Sequence, residues 1–519
     1  MPSRGRSIKP GSVTGGRPIE RAVGADYEPA LSEFYVTDRR KMYPRSFIFS
    51  NQPFDGGSAA PFGYLACGPS TNVTSFAKRF PDGSTVSLLC IGYLIDLDNV
   101  DFDDDQVLAD LAGAFPNFAR FHEKLNYING RFSLIVRFND DWRIYHDATA
   151  MRSLYYKSGA QFLVSSHAHL IANLSGVTTI NQHFRFYKFG YPGLMSPFEG
   201  IQILPANFFL EPTSGLVTRY WPTNERVERV ERSLDEAYDV FSHYFLKARD
   251  GILARQKPIV SLTAGLDSRT TFAVFKDVGD AEFFSYNESH VLSDSDIKMA
   301  KKFCALYEKK YRTITINKNP RDKIEFPEYR HIPNLIECYR DNFGGENLIH
   351  IRSNIAEVGN NFYRKMIDQA MIKVNRPSDF IRARSLTKQD DRAAQEYAND
   401  RLHEMFQTVG YDPLSGSPFL GYDPLDLFYW EFRATTWHGP LLLGSDFAFD
   451  TFVLFNSRVL LEAMLSINET DRRRRSIQRT FVDHHAPKIA GFPINPPMPM
   501  GIHRILHAVH WRLKAALNR

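Results

Sequence analysis

A strand–turn–helix pattern at Lys257–Phe275, KPIVSLTAGLDSRTTFAVF, limits the fold more than any other stretch of the chain. The apolar run Pro258–Val260 is typical of a buried parallel strand. Small residues then form a tight turn, and the pattern over Arg269–Phe275 predicts a helix that begins beside Asp267 and Ser268, two favoured N-cap residues. A buried parallel strand followed by a helix predicts an α/β sheet for this half of the chain.

The turn between this strand and this helix predicts an anion site. The start of a helix presents free N–H groups and a partial positive charge, and Gly265 lets the backbone approach a ligand. Thr263 and Ser268 add hydroxyl donors. Asp267 would repel a bare phosphate, so its presence indicates a metal ion that bridges carboxylate and phosphate oxygens. The alternative is a well-capped strand-to-helix turn that binds no ligand.

The hexapeptide Thr263–Ser268, TAGLDS, resembles the SGGxDS pyrophosphate loop of the asparagine synthetase family, with Ala264 in place of a usual glycine. It lacks the Gly-Lys-Ser/Thr ending of a Walker loop. In that family the loop holds the pyrophosphate of ATP while a carboxylate attacks the α-phosphorus. The resemblance implies that the nucleotide is bound by this loop and by nearby segments, at Ser261, Thr263, Ala264, Gly265, Leu266, Asp267, Ser268, Ser285, Asp296 and Ser353.

Composition and charge exclude several classes of protein. The chain has 519 residues, 43% of them hydrophobic and 24% charged, which is ordinary for a globular protein of two or three domains. A net charge of +4 is too small to favour nucleic acid as the main partner. No apolar run approaches the ~18 residues that span a membrane. The cysteines lie far apart and are typical of buried thiols in a reducing compartment, which predicts a cytoplasmic protein: Cys67, Cys90, Cys304 and Cys338.

Residues 31–222 are similar to the glutaminase domain of the same family, after a leader at residues 1–30 that is predicted to be flexible. Asn129–Phe132 resembles the NGxF that opens the last strands of that domain, and Asp147–Tyr156 is similar to its DxxGxxPLYY segment. Phe162–Leu170 occupies the place of its FxSExxxL segment. The resemblance implies a β-rich sandwich of the N-terminal-nucleophile (Ntn) hydrolase type.

Departures from the family predict that this glutaminase-like domain is degenerate. The family's glutaminase needs a cysteine at the mature N-terminus, where the free amine serves as base for the thiol, whereas residue 2 is Pro2. Cys90–Tyr93 replaces the NGE segment that lines the oxyanion hole. Cys90 itself lies in an apolar strand pattern, where a thiol is usually inert. We therefore expect no glutamine hydrolysis, and the amine must come from free ammonia, a partner protein or the substrate itself.

Residues 233–519 resemble the family's ATP-pyrophosphatase domain, which has an adenine-nucleotide α-hydrolase-like fold. Asp296 lies in an acidic helix start similar to the DExxxAxxxA segment that orients ATP. Arg352–Tyr363 occupies the place of the SGxGxDExxxGY motif, which supplies a second metal ligand. Aligning the tyrosines puts Glu357 on the Asp position and Ser353 on a Gly position. The glycine pattern is degraded there, while a carboxylate is kept.

Three basic features add weaker candidates. The family's late catalytic lysine, which stabilises the pyrophosphate, has no clear counterpart, and Lys488 is the only candidate nearby. The arginine of the family's SVEARVPFLDxxL segment is missing, and Arg433 on the preceding predicted helix is a hypothetical replacement. The run Asp471–Arg475, DRRRR, either binds phosphate or forms a solvated helix face, and charge runs of this kind favour the solvated face.

The resemblance implies a ligase of the asparagine synthetase type. ATP and Mg²⁺, the ion held by Asp267 and Glu357, would activate the carboxylate of a small molecule or peptide, and an amine would then form an amide and release AMP and pyrophosphate. Asp267, Glu357 and Lys488 are the expected catalytic residues. One alternative is an intramolecular cyclase of the β-lactam synthetase or lasso-peptide cyclase type, and another is a non-catalytic relative that binds nucleotide or a partner. The oligomeric state stays open, with a homodimer as one alternative.

Overall fold

Two antiparallel sheets are built from the first half of the chain. The computed structural model describes residues 42–179, 181, 191–223, 229–287, 294–317, 328, 335–344, 347–368, 374–380 and 392–496. The predicted leader, residues 1–30, lies outside these described residues. The strands of the two sheets are β1 (Phe47–Ser50), β2 (Ser58–Ala59), β3 (Tyr64–Cys67), β4 (Val73–Arg79), β5 (Thr85–Asp96), β6 (Ile128–Phe138), β7 (Asp141–His146), β8 (Tyr155–Lys157), β9 (Leu163–Ser165), β10 (Gln202–Ile203), β11 (Phe208–Glu211) and β12 (Leu216–Arg219).

The two sheets pack face to face as a sandwich. Their strand orders are β10-β8-β9-β1-β3-β2 and β12-β11-β7-β6-β5-β4. Strands β5 and β6 pair along most of their length, and both are almost continuously buried. A two-residue hairpin joins β6 to β7, with Asn139 at a φ of +53°. The ring of Trp142 on β7 lies 6.0 Å from that of Phe49 and 5.3 Å from that of Phe162, so the aromatic side chains fill the space between the sheets.

A five-stranded parallel sheet forms the core of the second half. Its strands are β13 (Lys257–Ser261), β14 (Glu282–Asn287), β15 (Tyr311–Thr315), β16 (Leu348–Arg352) and β17 (Asp450–Val453). They lie in the order β15-β14-β13-β16-β17, and every neighbouring pair is parallel. Ile259 and Val260 of β13 are fully buried, which confirms the buried parallel strand that the sequence predicts. The protein is thus a mixed α/β structure with several sheets.

Helices surround both parts of the structure. Those in the described residues are α1 (Asp104–Ala112), α2 (Phe118–Leu125), α3 (Ala168–Ser175), α4 (Leu234–Leu253), α5 (Leu266–Phe275), α6 (Asp294–Leu306), α7 (Leu335–Phe343), α8 (Phe362–Asp368), α9 (Arg392–Val409), α10 (Pro424–Phe428), α11 (Gly439–Ser445), α12 (Arg458–Ser466), α13 (Glu469–Arg474), α14 (Ser476–His485) and α15 (Pro487–Ala490). A 3-10 turn covers Ala356–Asn360 and a π-helix covers Tyr429–His438. None of the helices in the described part of the chain combines the length and the apolar character that a membrane span requires.

The strand order of the parallel sheet reverses between β13 and β16. From β13 the chain runs outward through β14 to β15, and it then returns to the other side of β13 to form β16 and β17. The connections that follow β13 and β16 therefore leave in opposite directions. In open α/β sheets such a divergence opens a crevice at the carboxyl ends of the strands. The segments that carry Asp267 and Glu357 follow these two strands, so both begin at this crevice.

A buried ion pair ties the sandwich to the parallel sheet. The side chains of Arg131 on β6 and Asp446, shortly before β17, are each 3% exposed. They form a bidentate pair in which Arg131 Nη2 lies 2.9 Å from Asp446 Oδ2, and Arg131 Nε donates to the Met151 carbonyl at 2.8 Å. Burial would raise the pKa of Asp446, but the charge and hydrogen bonds of Arg131 outweigh burial and hold that pKa below its usual value.

The cysteines are all free thiols, and Cys90, Cys304 and Cys338 are buried while Cys67 is half-buried. The prediction of unpaired thiols is confirmed, and the prediction of burial is confirmed for all but Cys67. Burial raises the pKa of Cys67 to about 11 and that of Cys304 to about 12. These thiols therefore stay protonated and unreactive at neutral pH.

We expect Asp446→Asn to lower the free energy of unfolding by about 3–5 kcal/mol, because the buried guanidinium of Arg131 loses its counter-charge. Chemical denaturation followed by circular dichroism measures the change. Asp140→Asn is the matched control, since Asp140 is 97% exposed and pairs with Arg137 on the surface. Its expected effect is within about 0.5 kcal/mol. Equal effects of the two substitutions would contradict a structural role for the buried pair.

Candidate functional site

The turn after β13 is held in place by hydrogen bonds to both neighbouring strands. The Leu262 N–H donates to the Phe284 carbonyl at 2.8 Å, and Ser285 Oγ donates to the Leu262 carbonyl at 2.6 Å. On the other side, Ser261 Oγ donates to the Ile351 carbonyl of β16 at 3.3 Å. The hydroxyls of Ser261 and Ser285 therefore fix the position at which the turn leaves the sheet.

Helix α5 begins at Leu266 with Gly265 as its N-cap residue, so the prediction that Asp267 and Ser268 cap the helix is wrong. Gly265 adopts the extended backbone of a cap (φ −72°, ψ 155°), which places Asp267 and Ser268 inside the first helical turn. Among the described residues no side chain caps this helix. Its first N–H groups are therefore left for a ligand or for water, as an anion site requires.

The hydroxyl groups of Thr263 and Ser268 are hydrogen-bonded to each other within the turn. Their oxygens lie 2.9 Å apart, and Ser268 Oγ accepts from the Thr263 N–H at 3.2 Å. Thr263 Oγ1 accepts from the Gly265 N–H at 3.2 Å, and Asp296 Oδ1 accepts from the Ala264 N–H at 2.8 Å. These three N–H groups of the predicted phosphate loop are thus bonded to side chains of the protein, and an anion that used them would replace these contacts.

Asp267 and Glu357 approach each other from the two strands that border the crevice. Asp267 lies in the first turn of α5, and Glu357 lies in the 3-10 turn that follows β16. Burial and the negative charge of Asp267 raise the pKa of Glu357 to about 7, and burial also raises the pKa of Asp267. Glu357 Oε2 is buried and has no hydrogen-bond partner among the described residues. Two neighbouring carboxyl groups, one of which disfavours the charged form of the other, make a suitable place for a cation.

This pair of carboxylates fits a magnesium ion that completes its coordination with other oxygens. In the described part of the chain, no group of three or more His, Cys, Asp or Glu side chains is placed to hold a metal ion. Magnesium usually takes one or two carboxylates and fills its remaining positions with phosphate oxygens and water. The unpartnered Oε2 of Glu357 and the neighbouring Asp267 match that pattern.

The backbone that presents Glu357 is strained. Ile355 has a φ of +83°, a region that β-branched residues rarely adopt, and its side chain is fully buried. With the tyrosines aligned at Tyr363, Ile355 stands at the second glycine of the SGxGxDExxxGY motif, where a positive φ suits glycine. Ser353, at the first glycine, donates to the Thr271 hydroxyl of α5 at 2.8 Å. The loop therefore keeps a backbone typical of glycine although both glycines are replaced.

Two side chains that are absent from the predicted site contact Asp267. Gln478 Nε2 donates to Asp267 Oδ1 at 2.5 Å, and Arg475 Nη1 lies 3.6 Å from the same oxygen. The sequence holds one signal that could have found Gln478, since it stands three and four residues before Phe481 and Val482, which are buried on the same face of α14. A polar side chain within an apolar stripe needs a buried partner, but the pattern does not say which partner.

The interpretation of Asp471–Arg475 as a solvated helix face holds for the exposed Arg474 but is wrong for Arg472. Arg472 is buried and pairs with the buried Asp426. Arg475 has a left-handed backbone (φ 56°) between α13 and α14 and is turned toward Asp267. The two helices therefore meet at an angle, and arginines that one continuous helix would expose point in different directions.

Arginines surround the turn. The guanidinium of Arg269 donates to the carbonyls of Ala264 at 3.0 Å and Phe492 at 2.7 Å, so it joins the turn to a segment that follows α15. Burial, and then the positive charges of Arg479 and Arg475, lower the pKa of Arg269 to about 10. The three guanidinium groups are therefore close enough to repel one another.

The weaker basic candidates lie elsewhere. The ammonium of Lys488 donates to the carbonyl of Leu306, the last residue of α6, at 3.1 Å. Asp296, near the start of the same helix, contacts the turn, and about 15 Å of helix separates it from Leu306. The geometry therefore gives no support to a catalytic role for Lys488. The guanidinium of Arg433 stacks on the ring of Trp437 at 4.1 Å within the π-helix.

Comparison with known proteins assigns the chain to no family. The sequence matches no protein-family model and none of the curated proteins. Among solved structures, the allosteric regulatory enzyme of purine biosynthesis is 12% identical over 63% of this chain and 73% of its own, with a TM-score of 0.24. Glutamine phosphoribosylpyrophosphate amidotransferase from B. subtilis, complexed with ADP and GMP, is 14% identical over 72% and 84%, with a TM-score of 0.23. NMN synthetase from Francisella tularensis is 12% identical over 39% and 95%, with a TM-score of 0.19. Likeness at this level carries no argument about function.

We expect Glu357→Gln to remove a pH dependence of stability from the metal-free protein. Glu357 binds its proton more tightly in the folded chain, where its pKa is about 7, than at its ordinary value of 4.5. Because the folded state binds more protons between these values, stability falls as the pH rises through this window. The free energy of unfolding is measured in EDTA at pH 5 and pH 8. Between these pH values the unsubstituted chain is expected to lose about 1–3 kcal/mol more than the variant.

The control for this prediction is Glu404→Gln, since the Glu404 side chain is 54% exposed. Its profile is expected to follow that of the unsubstituted chain. If the free energy of unfolding of Glu357→Gln changed with pH as it does in the unsubstituted chain and in Glu404→Gln, the proximity of the two carboxylates would have no energetic consequence.

Proposed function

We propose that this chain is an ATP-dependent ligase that activates a carboxylate as an acyl-adenylate and transfers the acyl group to an amine, with release of AMP and pyrophosphate. The observation that carries the proposal is the convergence of Asp267 and Glu357 at the crevice, beside the uncapped start of α5. A polyphosphate is bound by a cation together with free N–H donors, and the crevice brings both requirements to one place. The resemblance of TAGLDS to a pyrophosphate loop supports this class of reaction.

In this proposal the residues of the turn hold the nucleotide phosphates. The N–H groups at the start of α5 and the hydroxyls of Thr263 and Ser268 bind the pyrophosphate. Asp267 and Glu357 hold magnesium, which when bound neutralises the negative charge that grows on the leaving group. With these roles, the second half of the chain is an ATP-pyrophosphatase domain, as the resemblance of its sequence implies.

The other predicted nucleotide-binding residues act through the shape of the turn. The hydroxyls of Ser261 and Ser285 bond to carbonyls, and that of Ser353 bonds to α5. Asp296 holds the N–H of Ala264. We therefore assign these side chains to positioning. We assign backbone contacts with phosphate to Gly265 and Leu266, and Ala264 could make one only by giving up its bond to Asp296.

The proposed reaction balances without a further reagent. A carboxylate oxygen of the substrate forms a bond to the α-phosphorus while the bond from that phosphorus to the bridging oxygen of pyrophosphate breaks. The amine nitrogen then bonds to the acyl carbon, AMP leaves with the oxygen that joined it to the acyl group, and the amine loses a proton to solvent. The protein contributes orientation and stabilisation of charge.

We infer that the first-half sandwich is an Ntn-hydrolase-type domain that does not hydrolyse glutamine. Cys90 lies within β5 and is fully buried, and burial raises the pKa of its thiol well above the usual value. A thiol in that state is a poor nucleophile. The amine is then free ammonia, an amine delivered by a partner protein, or a group of the substrate itself, as in a β-lactam synthetase or lasso-peptide cyclase.

A non-catalytic relative that binds nucleotide or a partner is the second candidate. Two observations favour it. The N–H groups of Thr263, Ala264 and Gly265 are bonded to side chains of the protein, and Ile355 replaces a glycine in the loop that carries Glu357. Such a protein would bind ATP without releasing pyrophosphate.

We expect the purified 519-residue chain to release pyrophosphate from ATP and Mg²⁺ when its carboxylate and amine are supplied. The measurement is a coupled pyrophosphate assay across amino acids, small organic acids and peptides, each with and without ammonium. Asp267→Asn is expected to lower the rate at least about 100-fold, because the site loses one of the two carboxylates proposed to hold the magnesium ion that would neutralise charge on the leaving group. Asp277→Asn is the matched control, since Asp277 is 77% exposed just beyond the same helix, and about twofold is the largest change expected.

The outcomes separate the candidates. Release that depends on Asp267 supports the ligase and identifies its substrate class. Binding of ATP without release across the panel favours the non-catalytic relative. A chain that binds no ATP would contradict both, and normal release by Asp267→Asn would remove this carboxylate from the mechanism. Lys488→Gln is expected to behave like the Asp277 control.

A further inference from the structure

Three arginines surround the turn after β13, and only one of them lies against a carboxylate. Arg475 faces Asp267. Arg269 donates to backbone carbonyls at 2.7–3.0 Å, and Arg479 Nε donates to the Arg474 carbonyl at 2.8 Å. In the described part of the chain, neither Arg269 nor Arg479 forms an ion pair. Within these residues, the charges of Arg269 and Arg479 beside the proposed phosphate site are therefore not neutralised by direct pairing, which favours an anion there.

The contact between Arg475 and Asp267 is loose. The 3.6 Å separation of Arg475 Nη1 from Asp267 Oδ1 is longer than a hydrogen bond, whereas a well-formed arginine–carboxylate pair makes two bonds of about 2.7–2.9 Å. Gln478 already donates to that oxygen at 2.5 Å. The side chain of Arg475 is 23% exposed. Charge holds the guanidinium near Asp267, but hydrogen bonds do not fix it there.

We propose that Arg475 is the cationic residue that binds the nucleotide phosphates at this site, and that it rests against Asp267 until a metal ion binds there. The inference rests on the proposed function, because it uses the same turn and the same carboxylates. A cation on Asp267 and Glu357 repels the guanidinium, which has the same sign of charge. The phosphates that accompany the cation give the guanidinium a new partner, and its planar fork binds phosphate oxygens in pairs.

Arg475 takes the role that the sequence assigned to Lys488. The ammonium of Lys488 is held at the far end of α6, while Arg475 is already beside the proposed metal ligand. Its left-handed backbone between α13 and α14 directs the side chain toward α5. A phosphate-binding cation is therefore supplied from a different segment of the chain.

The test measures cation and anion binding separately in one variant. Arg475→Asn removes the charge and keeps a residue that tolerates the positive φ of 56°. Mn²⁺ alone, followed by electron paramagnetic resonance, is expected to bind at least about threefold more tightly, because the carboxylates lose a cationic neighbour. Inorganic pyrophosphate with Mg²⁺, followed by calorimetry, is expected to bind at least about tenfold more weakly.

Arg473→Asn is the matched control from the same run of arginines, since Arg473 pairs with Glu469 and Asp368 and is 31% exposed. Both of its affinities are expected to equal those of the unsubstituted chain. Opposite shifts for the cation and the anion in Arg475→Asn support the proposal, because a purely structural arginine would weaken both together with thermal stability. Unchanged pyrophosphate affinity would overturn it.

A second variant keeps the test decisive if Arg475→Asn does not fold. Arg475→Lys retains the charge and loses the fork, so Mn²⁺ affinity should stay within about twofold while pyrophosphate affinity falls about threefold or more. Unchanged pyrophosphate binding in this variant, or no pyrophosphate binding by the unsubstituted chain, would refute the proposal. Neither probe needs a carboxylate substrate, so this inference and the proposed ligase can fail separately. Pyrophosphate binding that depends on Arg475, without turnover, would support this inference and refute the ligase. Turnover with pyrophosphate binding that does not depend on Arg475 would support the ligase and refute this inference.

Discussion

The reversal of strand order at β13 decides where the groups of the candidate site lie. Since β13 pairs in parallel with both β14 and β16, the segments after β13 and β16 leave the sheet at the same edge in opposite directions. Asp267 and Glu357 belong to these two segments, and they come together only because Ile259 and His350 are aligned as neighbours in the sheet. A different pairing of the strands would separate the two carboxylates, and Asp267 would then no longer raise the pKa of Glu357.

Several unfavourable features collect at this edge of the sheet. Two carboxylates repel each other, and the buried Glu357 Oε2 has no hydrogen-bond partner among the described residues. Ile355 has a positive φ, which is unfavourable for a β-branched residue. Features of this kind cost about 1–3 kcal/mol each and persist only where the surrounding structure fixes them. Their concentration in one crevice is what a cation and a polyphosphate would relieve, and packing alone does not require it.

Local patterns predicted the elements of this half, and contacts between distant segments decided the site. The strand and helix around the turn follow from apolar spacing over a few residues, so both could be predicted. The N-cap could not, because Gly265, Asp267 and Ser268 all suit that position, and tertiary contacts choose among them. The partners of Asp267 were also beyond reach, since Gln478 and Arg475 lie more than 200 positions away in the chain. No periodicity links residues at that separation.

The position of Lys488 in the folded chain shows that alignment to a sequence motif does not predict which residue reaches the site. The resemblance implies a late basic residue, and Lys488 is the nearest lysine in the sequence. In the folded chain that lysine contacts the end of α6, while the run that was interpreted as solvated brings Arg475 to the site. What the chemistry requires is a positive charge at a point in space, and several segments of a chain can provide it.

An arginine in this position also changes how the site responds to pH. A lysine placed beside Arg269 and Arg479 would have its pKa lowered by burial and by like charges, and it would begin to lose its charge near neutral pH. An arginine keeps its charge, because even the crowded Arg269 has a pKa of about 10. The group of the site that titrates near neutrality is then Glu357, with a pKa of about 7. The positive charge of the arginines is therefore constant across the physiological range. A metal ion held by Asp267 and Glu357, as proposed, would bind more tightly as the pH rises and Glu357 loses its proton.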